Sequence, residues 1–266
     1  MDQVENSDLM KEYRDIALVF ASCDNYEDLW DPINLNLNKY WKDNPLKRYL
    51  ISNYKEYKSN LVTNIRVGAD ISWSDNLLLA LDQIDEKFIL IYMEDLFLTK
   101  MVDTQHLYKV FNWVLNNDPN YVRLIPYPKL KKKENEYIWH LKKGSLYRTA
   151  LIPCIYKKEM LRTLLKPGES AWDLEIKGAI RSDQYDGFYS IKTPCYKYIN
   201  AVIKSKWRKA GVNLLKKEGI ELKTGEREVM NVLENLSYFI VQQRSNLFKY
   251  LIPNKYKRSV RNVLIR

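Results

Sequence analysis

Three groups of residues in this sequence carry chemistry by type and spacing. Glu94-Asp95 follows the apolar run Phe88–Met93 directly. A carboxylate at the tip of a buried strand can hold Mg²⁺ or Mn²⁺ against a diphosphate, because a hard cation takes oxygen ligands and offsets the charge of a leaving phosphate. The same pair also suits a cap or turn at a sheet edge. Ser22-Cys23-Asp24-Asn25 closes an earlier apolar run. There Asp24 can accept from a base N–H or a ribose hydroxyl and Tyr26 can stack on a base; Asp24 or Asn25 can equally cap the next helix. Trp172-Asp173-Leu174-Glu175 puts two acids near a helix start. Either can serve as a general base toward a hydroxyl, but residues two apart on a helix do not face one ligand. Acids at that position also simply complement the helix dipole.

Cations complete the set. Arg123 lies inside a strand-like run, and an inward Arg needs an acidic or phosphate partner. Arg181 and the cluster Lys204-Ser205-Lys206-Trp207-Arg208 can hold phosphate oxygens, or form a solvated basic face. With only two histidines a Ser-His-Asp triad is unsupported, and no GxGxxG, GxxxxGK[ST] or HExxH motif occurs. Cys23, Cys154 and Cys195 lie far apart, which points to neither a disulfide framework nor a zinc site but to a reducing compartment.

The elements that must position these residues alternate. Ile16–Ser22, Arg48–Ser52, Leu61–Val67, Phe88–Met93 and Tyr121–Pro126 read as strands. Asn25–Tyr40 reads as a helix with Leu29, Ile33 and Leu37 on one face. Trp73–Ile84 follows the N-cap Ser72, and a further helix runs from a cap at Asp103 to Leu115. This order predicts a mainly parallel α/β sheet flanked by helices, whose ligands lie beyond the carboxyl ends of the strands. Lys129–Glu136 reads as a charged loop, Tyr137–Leu141 and Leu151–Tyr156 as strands, Lys157–Leu165 and Ala171–Ile180 as helices. Glu226–Gln243 reads as an amphipathic helix with Val229, Leu233, Leu236 and Ile240 on its stripe.

The formal net charge of +10 is not evenly spread. From Ala201 onward stand fifteen of the 43 Lys/Arg and five of the 33 Asp/Glu, so the first 200 residues are neutral. Arg244–Arg266 has seven Lys/Arg, no acid and several large apolar residues, a pattern suited to an anionic membrane surface. It also suits a solvated helix packed on the domain. No apolar run is long enough to span a bilayer and the first thirteen residues are too polar for a signal peptide, so a cytoplasmic location is expected.

In order and spacing these motifs resemble a bacterial GT-A-type glycosyltransferase family of capsule, O-antigen and lipopolysaccharide clusters. Its opening S-x-D-x-Y-x-D-x-W is similar to Ser22, Asp24, Tyr26, Asp28 and Trp30, and its later "tN" and "W-S" to Ser52-Asn53 and Trp73-Ser74. Met93-Glu94-Asp95-Leu96-Phe97-Leu98 resembles its L-D-D-F-F-L. Ala171–Ser182 resembles its P-W-E-F-E-x-x-G-S-x-R-S, and Ser205-Lys206-Trp207 its G-K-W. Glu94, Leu96 and Ser205 stand where the family has Asp, Phe and Gly. The resemblance implies a GT-A-like, Rossmann-like fold over residues 15–225, after a polar segment 1–14 and before a basic helical extension 226–266. It implies a nucleotide-sugar donor bound by Ser22, Asp24, Tyr26, Asn53, Trp73, Glu94 and Asp95, with Asp95 and Glu94 as Mn²⁺ or Mg²⁺ ligands. Asp173 or Glu175 is the implied base, and Arg123, Arg181, Lys206 and Trp207 the implied acceptor or phosphate contacts. The expected reaction is an inverting sugar transfer to a lipid-linked cell-surface glycan at the inner face of the membrane, with no nucleic-acid partner. A nucleic-acid-binding protein, a scaffold and a sugar-phosphate nucleotidyltransferase are the rival readings.

Overall fold

The computed structural model describes residues 3–126, 137–220 and 227–251, the side chains of 3–7 and 245–250 excepted. The expected charged loop Lys129–Glu136, the boundary between 225 and 226, and the tail beyond residue 251 lie outside the described residues.

Helix α1 (Gln3–Glu12) leads into strand β1 (Ile16–Phe20), helix α2 (Glu27–Tyr40), β2 (Lys47–Ser52), β3 (Thr63–Arg66), α3 (Trp73–Leu81) and β4 (Phe88–Tyr92). A short strand β5 (Leu96–Leu98) precedes α4 (Thr104–Asn117) and β6 (Tyr121–Arg123). Then come β7 (Ile138–His140), β8 (Cys154–Lys157) and α5 (Lys158–Leu164). Residues 171–181 are one helical rod in three parts: α6 (Ala171–Asp173), a π-helical stretch Leu174–Gly178, and α7 (Ala179–Arg181). Strands β9 (Phe188–Ile191), β10 (Tyr198–Asn200), β11 (Val202–Ile203) and β12 (Lys206–Trp207) follow, then helices α8 (Lys209–Lys217) and α9 (Val232–Leu251).

Eight strands form one mainly parallel sheet in the order β3-β2-β1-β4-β8-β6-β9-β7. The first four are parallel neighbours, and β6 and β9 are also parallel; β8 and β7 run antiparallel to theirs. The central strands read as unbroken apolar runs because both faces are covered. In β1, Ile16, Leu18 and Phe20 pack with α2 and α4, through Leu29, Ile33, Leu107 and Phe111. Ala17 and Val19 pack on the other face with Leu77 and Leu81 of α3 and Leu161 and Leu164 of α5. The period of two along a strand assigns successive side chains to opposite layers.

Local signals hold where local bonding decides. Ser72 Oγ accepts from Asp75 N at 3.1 Å and Asp103 Oδ1 from His106 N at 3.1 Å, so both expected caps form. The expected helix over Glu226–Gln243 is displaced. Glu228 and Met230 are drawn into backbone bonds with Trp207 (2.8 Å each), and Val229 forms a bridge with it. The helix starts only after Asn231, whose Oδ1 accepts from Glu234 N at 2.9 Å while Asn231 N donates to Glu234 Oε2 at 2.8 Å, a reciprocal capping box. Its apolar stripe Leu233, Leu236 and Ile240 is exposed and does not face the core.

Candidate active site

The parallel strands β1, β2 and β4 end on one edge of the sheet, which brings Ser22–Asp24, Ser52-Asn53 and Glu94-Asp95 together. Asp24 takes neither of its expected roles as helix cap or open acceptor. No side chain caps the start of α2, and the Asp24 carboxylate accepts from the backbone N–H of Asn53 (2.8 Å), Tyr54 (3.0 Å) and Lys55 (3.2 Å). Asn53 Oδ1 returns a bond from Asp24 N at 3.2 Å, and Asn53 Nδ2 donates to Gly68 O at 3.0 Å. The loops after β1, β2 and β3 are thereby tied into one knot. Ser22 is buried and accepts from Trp30 Nε1 at 2.9 Å. Tyr26 is half-buried with the Arg227 guanidinium 4.7 Å from its ring centre; Arg227 is held bidentately by Asp28 at 2.9 Å. Trp73 opens α3, half-buried against the core.

Glu94 and Asp95 differ from this knot. The Glu94 side chain is buried, and its Oε2 has no hydrogen-bond partner. Burial, reinforced by the neighbouring Asp95 charge, pushes its carboxyl up to about 8. Burial also lifts the partly buried Asp95 to about 6. Asp95 is fixed through its backbone. Its carbonyl accepts from Ala201 N at 2.8 Å, and β5 just beyond it pairs antiparallel with β10. The amide of Asn36 completes the outer side of β5, with both bonds to Leu98 made at 2.7 and 3.0 Å.

Asp95 opens into a cleft of about 750 Å³. Glu175 lines the same cleft, from the π-helical stretch eighty positions further along the chain. Its Oε1 accepts from Leu151 N at 2.7 Å. Asp173 does not line the cleft. It closes a capping box with Ser170 and pairs with Lys177 at 2.8 Å, contacts that lower its carboxyl to about 2, Lys177 contributing most. The rod is wide at Glu175 because one turn is π-helical, and Gly178 ends that stretch packed closely on Leu174. A Cβ there would lie 2.6 Å from Leu174 Cδ1.

The other expected contacts fall behind the wall. Arg123 is fully buried, donating to Tyr147 O at 3.0 Å and Ser190 Oγ at 3.5 Å. Its positive charge is felt by Glu175, its acidic counterpart in this region, and it does not line the cleft. Arg181 is held by Glu169 (3.0 and 2.6 Å) and Leu164 O, and Lys206 by Glu228 and Glu234 at 2.8 Å each. Trp207 is core, edge-on to Phe97.

Of the cationic cluster expected to hold phosphate oxygens, Arg208 reaches the cleft, and residues without a sequence signal supply most of the rest of the lining. Arg208 lies one step past Trp207, donating to Asn200 O at 3.0 Å and stacking 4.6 Å from the Tyr238 ring. Tyr147 and Tyr198 line the cleft, as do Tyr238 and Gln242 from α9. Tyr147 has φ of 51°, a left-handed conformation costly for a bulky residue, and Arg123 grips its carbonyl. No periodicity or motif marks these positions. Arg208 alone had a signal, as the last cation of its cluster.

No protein-family model and no curated protein matches the sequence. Among solved structures, the chain is similar to S. aureus TarS residues 1–349 (10% identity, TM-score 0.48, covering 69% of this chain and 59% of that one). Another crystal structure of that fragment is a complex with UDP-GlcNAc. The chain is also similar to UTP-bound UGPase from Acinetobacter baumannii (7% identity, TM-score 0.48, 86% and 98% covered) and to bifunctional IspDF from Campylobacter jejuni (14%, 0.39, 70% and 52%). The chain spans under two thirds of the length of TarS 1–349 and of IspDF. These are likenesses of chain architecture and carry no chemistry.

Proposed function

We propose that this protein is a GT-A-type glycosyltransferase, with residues 15–225 as the transferase domain and 226–266 as a helical extension. It moves a sugar from a nucleotide-sugar donor to an acceptor hydroxyl. One observation carries the reading: Asp95 and Glu175, from distant parts of the chain, line one cleft. Sugar transfer passes through an oxocarbenium-like state and needs two things, neutralisation of the leaving diphosphate and a base for the incoming hydroxyl. On this reading Asp95 serves the first need and Glu175 the second. Arg208 adds a fixed cation in the same cleft.

Asp95 lines the cleft and would be the primary ligand of a divalent cation there, with the buried Glu94, which does not line the cleft, behind it. Glu94 Oε2 is buried without a partner, and both carboxyls are pushed toward protonation, the state a nearby cation reverses. Among the described residues no three acids, histidines or cysteines cluster, so a cation at Asp95 would need water and substrate for most of its oxygens. When bound, Mn²⁺ or Mg²⁺ offsets charge on the diphosphate. The protein's own part is to hold the Asp95 backbone against β10 and Glu175 against Leu151 N.

A single base aimed at the acceptor hydroxyl inverts the anomeric centre. The acceptor is a lipid-linked cell-surface glycan, met by an enzyme peripheral to the cytoplasmic face of the membrane. The test is product release from a panel of nucleotide sugars with and without Mn²⁺. Nucleoside diphosphate release that Asp95→Asn and Glu175→Gln each abolish supports the proposal. Pyrophosphate release from a nucleoside triphosphate and a sugar phosphate replaces it with a nucleotidyltransferase.

A further inference from the structure

Helix α9 is amphipathic in the inverse of the usual sense. Its polar side faces the body: Glu234 meets Lys206, Tyr238 stacks with Arg208, and Gln242 donates to the Tyr238 hydroxyl at 2.6 Å. Its apolar side faces solvent. Val232, Leu233, Leu236, Phe239 and Ile240 are each more than half exposed, Leu233 to 75%. Leu233, Leu236 and Ile240 share one face, about 120–180° around the helix from Tyr238 and Gln242, with Val232 and Phe239 on its flank. A surface helix normally buries such a stripe, and a contiguous apolar patch on a soluble domain marks a docking surface. No helix among the described residues is long and apolar enough to cross a membrane.

We infer that this face of α9 docks on an anionic lipid bilayer, lying in the interface plane. The charge of the chain selects this occupant. Arg244–Arg266 carries seven Lys/Arg and no acid, so a second copy on the same face brings like charges together, whereas an anionic surface attracts them. An interfacial helix sinks its apolar face below the headgroups and keeps its polar face above them. In α9 that polar face is also a wall of the cleft, through Tyr238 and Gln242. Docking therefore sets the cleft mouth beside the headgroup layer, where the reactive hydroxyl of an amphiphilic acceptor lies. This last step rests on the transferase reading; the docking itself does not.

The experiment is cosedimentation of the full chain with phosphatidylcholine vesicles, with and without about 30 mol% phosphatidylglycerol, for wild type and the triple variant L233Q/L236Q/I240Q. The three positions are exposed and outside the cleft, so circular dichroism and melting temperature should match wild type. The expected result is binding of wild type to anionic vesicles, weakened at least about tenfold in the triple variant, with salt weakening but not abolishing it. Hydrogen exchange on wild type should show slowing at residues 232–244 when those vesicles are added. Three results overturn the inference. Wild type ignores the vesicles; the triple variant binds as wild type does, which assigns binding to the basic tail alone; or sedimentation velocity shows a dimer that the triple variant dissolves, which assigns the face to a second copy. No donor or acceptor is present, so failure here leaves the sugar-transfer proposal standing, and inert Asp95 and Glu175 variants leave vesicle binding standing.

Discussion

Two polar constellations sit side by side on the carboxyl edge of the sheet, and they differ in how their hydrogen bonding is met. Around Asp24 the bonding is met from inside: three backbone N–H donors, a returning bond from Asn53, and Gly68 beyond it. Around Glu94-Asp95 it is not, for Glu94 Oε2 is buried and unpaired and Asp95 faces a cleft. A satisfied cluster stabilises the fold; an unsatisfied buried carboxylate costs stability and persists where something else is to be bound. The contrast separates scaffold from site among residues that look alike as a string of letters.

Cleft and knot residues should respond to substitution in opposite ways. Asp95→Asn and Glu175→Gln should each lower turnover by about 10²–10⁴ with little change in melting temperature. A variant that melts early with normal turnover per folded molecule would move its residue to the scaffold. Asp24→Ala should do the reverse. It removes charged hydrogen bonds between loops and should cost about 2 kcal/mol, roughly 4–8 °C in Tm, with residual turnover tracking the folded fraction. Differential scanning calorimetry beside a turnover assay checks both.

Asp173 sharpens the contrast at smaller scale. As a cap it should cost about 1 kcal/mol when replaced by Ala at neutral pH. Its carboxyl is lowered in the native state, so its contribution is present above the ordinary carboxylate pKa and disappears as pH falls toward about 2. Urea unfolding of Asp173→Ala should therefore converge on wild type at the acid end, and a gap that stays constant with pH would count against the capping role. The smallest effect concerns the hairpin before Arg208. Lys204 and Ser205 have φ of 48° and 59°, left-handed values that Asn and Gly adopt readily. The double change Lys204→Asn, Ser205→Gly should raise stability by about 0.5–1 kcal/mol with turnover unchanged. A loss in turnover would bring the hairpin into the site.

The alternation from β1 to β6 was legible because those strands are buried on both faces and their helices carry single apolar stripes. Ser72 and Asp103 were legible because a cap is settled within four residues. Asp24 was not, since its donors lie about thirty residues away and nothing nearby announces them. The cluster Lys204–Arg208 read as a set of phosphate contacts without saying which member faces a ligand; a two-residue strand turned Trp207 inward and Arg208 toward the cleft. The start of α9 was within reach, as Asn231-x-x-Glu234 spells a capping box. The direction of its apolar stripe was not, because periodicity shows that a face exists without saying what covers it.

The π-helical turn at Leu174–Gly178 has a consequence for chain length. Such a turn holds one residue more than an α-turn, so excising a single residue there lets the rod close into a regular helix with its two halves still nearly in phase. The widened turn that carries Glu175 would narrow, while the capped end at Ser170 stayed in place. Loss of one codon in this stretch should therefore disturb the packing of the rod less than the same loss inside the regular helix α4, which would re-clock everything after it by about 100°.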